Sequence, residues 1–224
     1  MNIEVKGTPL PVAICQLAPG ESIITEKGAM SWMSPNLEMQ TRGGGVGKMF
    51  SRAFQGESMF QNIYTAVGGP GMIAMGSSFP GDIMVMDVSV MPIIAQKSAF
   101  LASETTVVNE MYFRKKLGAG LFGGEGFIMQ KYSGTGQVIL EIDGAVMMYE
   151  LRAGECMIVD TGCLAFMDAS VTMEIESVKG LGNKLFGGEG FFNTKLTGPG
   201  RIWLQTMPVS NLSRMVADYI PSGH

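Results

Sequence analysis

The chain has 224 residues, of which 46 % are hydrophobic and 16 % are charged, and its formal net charge is −4. This balance excludes a disordered chain, which needs few apolar residues and many charges. The acidic charge disfavours nucleic acid as a partner, since generic nucleic-acid binding uses a basic surface. No apolar segment reaches the roughly 18 residues of a membrane helix, so we expect a soluble protein without a membrane span.

Histidine and cysteine restrict the chemistry that is open to the chain. The one histidine, His224, is the last residue, which excludes a Ser-His-Asp or Cys-His centre and a histidine-based metal site in the folded part. The three cysteines, Cys15, Cys156 and Cys163, have no C-x-x-C spacing, and their odd number argues against a secreted disulfide framework. We therefore expect a cytoplasmic protein that is not an enzyme and has no metal and no cofactor.

Short strands dominate the local patterns. Apolar side chains recur every second residue within 138–142, 171–176 and 202–204, which is the period of a β-strand. Glycine-containing turns separate such segments, so the class predicted is all-β, with each unit a small barrel or β-sandwich. Helix signals are sparse except at the end of the chain. There Ser210 is predicted to cap a short C-terminal helix whose apolar residues are Leu212, Met215, Val216 and Tyr219.

Internal repetition is the strongest signal in the sequence. The string Phe-Gly-Gly-Glu-Gly-Phe occurs at 122–127 and again at 186–191, and a degenerate copy occupies 54–59. A second landmark follows each copy, at Gly69-Pro-Gly71, Gly134-Thr-Gly136 and Gly198-Pro-Gly200. Landmarks that recur at one spacing indicate a triplication. We predict three tandem β-units at residues 1–80, 81–144 and 145–224, the last of which carries the helix.

Two further matches support the same three units. Leu17-Ala-Pro-Gly-Glu21 matches Leu151-Arg-Ala-Gly-Glu155 as an opening of the form Leu-x-x-Gly-Glu. The segment 28–33 matches 162–167, and 97–102 stands at the corresponding place between them. Matching strands are therefore expected to carry Trp32, Phe100 and Phe166.

The triplication, the Gly-Gly-Glu-Gly-Phe strings and the Leu-x-x-Gly-Glu openings resemble bacterial members of the altered-inheritance-of-mitochondria protein twenty-four family. The resemblance covers about residues 10–210. It implies three domains similar to the tryptophan RNA-binding attenuation protein, each a short double-stranded β-helix. It also implies a ring-shaped homotrimer, and it carries over no catalytic or ligand-binding residue.

The glycine-rich turns are the candidate sites. Their repeat-equivalent residues are Glu57, Gly124, Glu125, Gly126, Gly188, Glu189 and Gly190. Three interpretations of the glutamates stay open: hydrogen bonds to the amides of their own turn, a subunit contact, or an ion or ligand site. The segment 118–123 satisfies G-x-G-x-x-G, but it lacks the strand–turn–helix context, and no dinucleotide site is expected there.

Two classes of function remain. The first is a structural or interaction scaffold that associates with itself as a homotrimer, because ring closure removes the free sheet edges of tandem β-units. The 20 methionines favour adaptable apolar contacts as well. The alternative is a module that binds RNA or a small ligand, by analogy with the attenuation protein.

Overall fold

The computed structural model describes residues 1–42, 61–115, 126–177, 192–217 and 219. Nineteen β-strands and one α-helix lie within these ranges, which confirms the predicted all-β class and the short C-terminal helix. In chain order the strands are β1 (Asn2–Lys6), β2 (Val12–Leu17), β3 (Ser22–Glu26), β4 (Met30–Met33), β5 (Leu37–Arg42), β6 (Gln61–Ala66), β7 (Gly71–Gly76), β8 (Gly81–Asp87), β9 (Ile93–Gln96), β10 (Phe100–Glu104), β11 (Val107–Lys115), β12 (Phe127–Gly134), β13 (Gln137–Asp143), β14 (Val146–Leu151), β15 (Cys156–Asp160), β16 (Leu164–Asp168), β17 (Thr172–Ser177), β18 (Phe192–Thr197) and β19 (Gly200–Gln205).

The strands form four antiparallel sheets, two large and two small. Sheet 1 has four strands in the order β1-β2-β7-β4, and sheet 4 has three in the order β15-β18-β17. Sheets 2 and 3 each have six strands, in the orders β5-β6-β3-β10-β13-β8 and β11-β12-β9-β16-β19-β14. Two single-turn 3-10 helices, Lys97–Ala99 and Thr161–Cys163, lead into β10 and β16.

Three buried apolar clusters fill the spaces between consecutive sheets. Sheets 1 and 2 enclose a cluster that includes Ile73, Met75, Ile23, Tyr64 and Ile139. Sheets 2 and 3 enclose a second, with Phe100, Leu140, Phe166 and Trp203 among its members. Sheets 3 and 4 enclose a third, which includes Met129, Met167, Val159 and Leu196. The sheets therefore stack in the order 1, 2, 3, 4, and burial of these side chains is the main favourable term in folding.

Strand β13 shows how this stacking changes a simple sequence pattern. Val138, Leu140 and Ile142 lie on one face, as the alternation predicts, and all three are buried. Ile139 and Glu141, on the other face, are buried too, because sheet 2 has sheet 1 on one side and sheet 3 on the other. A strand covered on both faces loses the polar alternation of a half-exposed sheet.

Helix α1 (Val209–Ala217) begins one residue before the predicted cap. Ser210 therefore lies inside the first turn, and the cap predicted there is misplaced. The backbone N–H of Val209 instead donates to Asp143 Oδ2 at 2.9 Å, so a carboxylate from the end of β13 neutralises the helix N-terminus. Within the described ranges, no helix is both long and apolar enough to cross a membrane.

Candidate functional site: two sheet edges and a polar cavity

Most of the candidate residues in the glycine-rich turns lie outside the described residues. These are Glu57, Gly124, Glu125, Gly188, Glu189 and Gly190. Gly126 is described: it precedes β12 with a φ of +87° and lines a polar cavity. That backbone angle explains why glycine stands there, since other residues rarely adopt it. The three interpretations of the glutamates stay predictions.

A second candidate site is formed by one edge strand of each of the two small sheets. Sheet 1 ends at β4, and sheet 4 ends at β15. Large apolar side chains are exposed on both edge strands: Trp32 is 51 % exposed, Met33 is 36 % exposed and Ile158 is 65 % exposed. An edge strand also presents unpaired backbone N–H and C=O groups, so each edge is a template for another strand.

In the two large sheets, strands in the places that correspond to β4 and β15 are paired with each other. In sheet 2, β10 pairs with β3, and Ser103 lies opposite Ile24. In sheet 3, β16 pairs with β9, and Met167 lies opposite Ile94. All four of these residues are buried. The isoleucines belong to the clusters between sheets 2 and 3 and between sheets 3 and 4.

A cavity of about 620 Å³ lies beside the junction of β3 with β10 and reaches the first turn of α1. Its charged lining residues are Glu26, Lys97, Glu141 and Asp143. They come from three segments of the fold: β3, the turn before β10, and β13. Across the described ranges, no group of three or more His, Cys, Asp or Glu side chains is arranged to hold a metal ion.

The carboxyl groups of the cavity differ in how they are stabilised. Glu141 Oε2 accepts hydrogen bonds from the Ser78 backbone N–H at 2.8 Å and from the Ser78 hydroxyl at 2.9 Å. Burial nevertheless raises the pKa of Glu141, and burial likewise raises the pKa of Asp143. Burial, reinforced by the charge of Glu141, raises the pKa of Glu26 to about 7, while Lys97 opposes the shift. Glu26 therefore changes its protonation near neutral pH.

Sequence reasoning missed both the exposed edges and the carboxyl cluster. Glu26 and Glu141 come together only because β3 and β13 both pair with β10. No local motif marks such a cluster. The sequence does contain half of the signal for the edges, since the match of 28–33 with 162–167 relates Trp32 to Phe166. The structure supplies the other half, because Phe166 is fully buried and Trp32 is exposed.

The fold has a close counterpart among solved structures. The X-ray crystal structure of a protein from Streptococcus pyogenes superposes with a TM-score of 0.81, at 22 % sequence identity, over 98 % of this chain and 99 % of that chain. No curated protein matches the sequence. The sequence does match the family described as Mitochondrial biogenesis AIM24, over residues 3–207. That match spans nearly the whole chain, and the protein belongs to the Mitochondrial biogenesis AIM24 family.

Proposed function

We propose that the protein is a non-enzymatic cytoplasmic scaffold that assembles head to tail into a closed homotrimeric β-ring. One observation carries the proposal: sheets 1 and 4 are partial sheets whose free edges, β4 and β15, match the paired edges inside sheets 2 and 3. The three cysteines, all free thiols, agree with a reducing compartment.

The pattern of strand pairing supports three equivalent units at residues 1–80, 81–144 and 145–224. In the first unit β7 lies between β2 and β4, and β6 lies between β3 and β5. In the second, β13 lies between β8 and β10, and β12 between β9 and β11. In the third, β19 lies between β14 and β16, and β18 between β15 and β17. Strand β1 is an addition to the first unit.

The β-bulges support the same equivalence at the level of single residues. The pairing of β4 with β7 shifts register between Met30 and Trp32. The corresponding shifts lie between Phe100 and Ala102 in β10 and between Leu164 and Phe166 in β16. Trp32 therefore corresponds to Ala102 and Phe166, both of which are fully buried.

The same strand pairing joins each unit to the next. Strand β10 of the second unit pairs with β3 of the first, and β16 of the third unit pairs with β9 of the second. By the same rule β4 of one copy would pair with β15 of another, and the two partial sheets would become one sheet of seven strands. The two patches differ, so this contact is heterologous and repeats until the rotation closes.

The exposure of Ile158 supports this contact. Its counterparts in the pairing patterns, Ile24 and Ile94, are 5 % and 1 % exposed, whereas Ile158 is 65 % exposed. A chain that leaves one of three equivalent side chains in water has an apolar surface for a partner to cover. The trimer, rather than another ring size, follows the family resemblance, in which three chains of three units close a ring.

Edge-blocked variants test the head-to-tail contact. A lysine on an edge strand opposes pairing, so Met33→Lys at the end of β4 and Ile158→Lys at the centre of β15 each block one edge. Size-exclusion chromatography with light scattering should give three chain masses for the unaltered protein and one for each variant alone. An equimolar mixture should give two chain masses and stop there, since each variant keeps the edge that the other lacks. A mixture that stays monomeric would refute the pairing of β4 with β15.

A second candidate function, binding of a small ligand, is favoured by the cavity of about 620 Å³. That volume is in the range of small-molecule pockets, and the lining offers both hydrogen-bond donors and acceptors. RNA is disfavoured by the net charge of −4. Native mass spectrometry of protein purified from its own cells tests the idea: a constant added mass per chain supports it, and the mass of the chain alone contradicts it.

A further inference from the structure

We infer that Asp160 of one copy forms an ion pair with Lys27 of the partner subunit, and that this pair selects the register between β15 and β4. The inference rests on the proposed ring and adds to it the residues that make the contact specific. It follows from a comparison of the two junctions that lie within the chain.

At the junction between β9 and β16, the last residue of β9 contacts the 3-10 turn that precedes β16. Gln96 ends β9, and its side chain is buried. Its Nε2 donates to the backbone oxygen of Leu164 and, at 3.3 Å, to that of Gly162. A contact at 3.4 Å reaches the oxygen of Thr161, the first residue of the 3-10 turn. The strand end of one unit is thus fixed to the turn that opens β16 of the next unit.

At the junction between β3 and β10, charged residues occupy the same two places. Glu26 ends β3, and Lys97 is the first residue of the turn before β10. Both side chains line the polar cavity, and the charge of Lys97 acts on the Glu26 carboxyl. The strand end and the first turn residue face each other here as well, but as an acid and a base.

The third junction would place Asp160 against Lys27. Glu26, Gln96 and Asp160 stand four residues before the first residues of β4, β10 and β16, respectively. Lys27, Lys97 and Thr161 follow them directly. The end of the edge strand β15 therefore carries an acid, Asp160, and the turn before the edge strand β4 begins with a base, Lys27, as in the junction of Glu26 with Lys97.

The Asp160 side chain is prepared for such a contact. Its Oδ1 accepts the Gly162 N–H at 2.8 Å, which holds the carboxylate beside its own turn. Within the described ranges, its Oδ2 accepts no hydrogen bond and is left for a partner. Gly76, at the end of β7, stands where the second and third units have Glu141 and Gln205, so no side chain from that position competes for the space.

The register of the two internal junctions fixes the rest of the contact. Ala102 lies opposite Thr25, and Phe166 lies opposite Ala95. The same register places Trp32 opposite Val159 of the partner subunit. A slip by one residue would turn these side chains to the other face and separate the charges. The ion pair and the apolar residues therefore favour one register together.

Charge reversal tests the inference. Asp160→Lys or Lys27→Asp alone would set like charges against each other, so the concentration at which the assembly half-dissociates should rise at least tenfold. The double variant Asp160→Lys, Lys27→Asp restores opposite charges and should return that concentration to within about threefold of the unaltered protein. Glu38→Lys, an exposed charge reversal on β5, is the matched control and should leave it unchanged.

The outcomes separate the ion pair from the ring. Single reversals that leave dissociation unchanged, or a double variant no better than the singles, would overturn the ion pair. If Met33→Lys and Ile158→Lys still dissociate the assembly in that case, the ring stands without the pair. An unaltered protein that is monomeric at every concentration would refute both. Circular dichroism of each variant shows whether the chain itself remains folded.

Discussion

Truncation of Ile158 to alanine should weaken the assembly without unfolding the chain. The side chain is 65 % exposed, whereas its counterparts Ile24 and Ile94 are 5 % and 1 % exposed. Assembly would thus remove more than half of this side chain from water. Because full burial of an isoleucine contributes about 1.5–3 kcal/mol, Ile158 would contribute roughly 1–2 kcal/mol to each contact. That loss corresponds to a rise of roughly 5–30-fold in the dissociation constant of each contact.

Light scattering over a dilution series measures this effect directly. Ile158→Ala should dissociate at a higher concentration than the unaltered protein, while its circular dichroism stays the same. Val90→Ala is the control, because Val90 is 81 % exposed in a turn that lies outside both edges. In contrast, Ile94→Ala should lower the free energy of unfolding by about 2–5 kcal/mol, since it empties buried space. A dissociation concentration of Ile158→Ala equal to that of the control would refute the reasoning.

Three further predictions concern the chain itself. Glu26→Gln should raise the thermal midpoint above pH 7 and change it little below pH 4.5. The pKa of Glu26 is raised from its ordinary value of 4.5 to about 7 in the folded state, so the folded state holds the proton more tightly and stability falls as pH rises from 4.5 to 7. Midpoints that shift equally at pH 4 and pH 8 would contradict this. Asp143→Ala removes the acceptor for the Val209 N–H and should cost about 1 kcal/mol, seen as faster amide exchange confined to α1, and unchanged exchange there would contradict the capping role. Gly81→Ala would place a Cβ 1.8 Å from the Ile142 carbonyl oxygen and should sharply reduce folded yield, whereas a normal yield with an unchanged midpoint would show that the strands separate at little cost.

Local periodicity was enough to predict several elements. The alternation within 138–142 and 202–204 falls in β13 and β19, and that within 171–176 falls in β17 from Thr172 onward. Leu212, Met215 and Val216 lie in α1 as predicted, whereas Tyr219 lies beyond the end of the helix at Ala217. Trp32, Phe100 and Phe166 lie on β4, β10 and β16, as expected from the matching segments. These features depend on residues that are close in the chain, so the sequence pattern contains them.

Other features depend on residues that are far apart in the chain. The bulges place Trp32 level with Phe166, but they place Phe100 level with Met30, a shift that the aromatic pattern does not reveal. The cap of α1 comes from Asp143, across 66 positions of sequence. Tertiary pairing decides both, and nothing near these residues in the chain signals it.

The candidate site was the least predictable part of the molecule. Repetition pointed to the glycine-rich turns, whereas the exposed side chains that define the two candidate edges, Trp32 and Ile158, lie on β4 and β15. The exposure of Ile158 indicates a contact surface only when it is compared with the burial of Ile24 and Ile94. That comparison requires the registers of β3, β9 and β15. An edge strand and an internal strand have the same local sequence pattern, because the difference between them lies in the neighbour.

The native mass of the purified protein tests the central claim most directly. One chain has a mass of 24.0 kDa. If β4 of each copy pairs with β15 of the next, light scattering at micromolar concentration should give a mass near three chains, with no growth as concentration rises. A mass near one chain would contradict the closed ring, and a mass that increases steadily with concentration would show an open filament in its place.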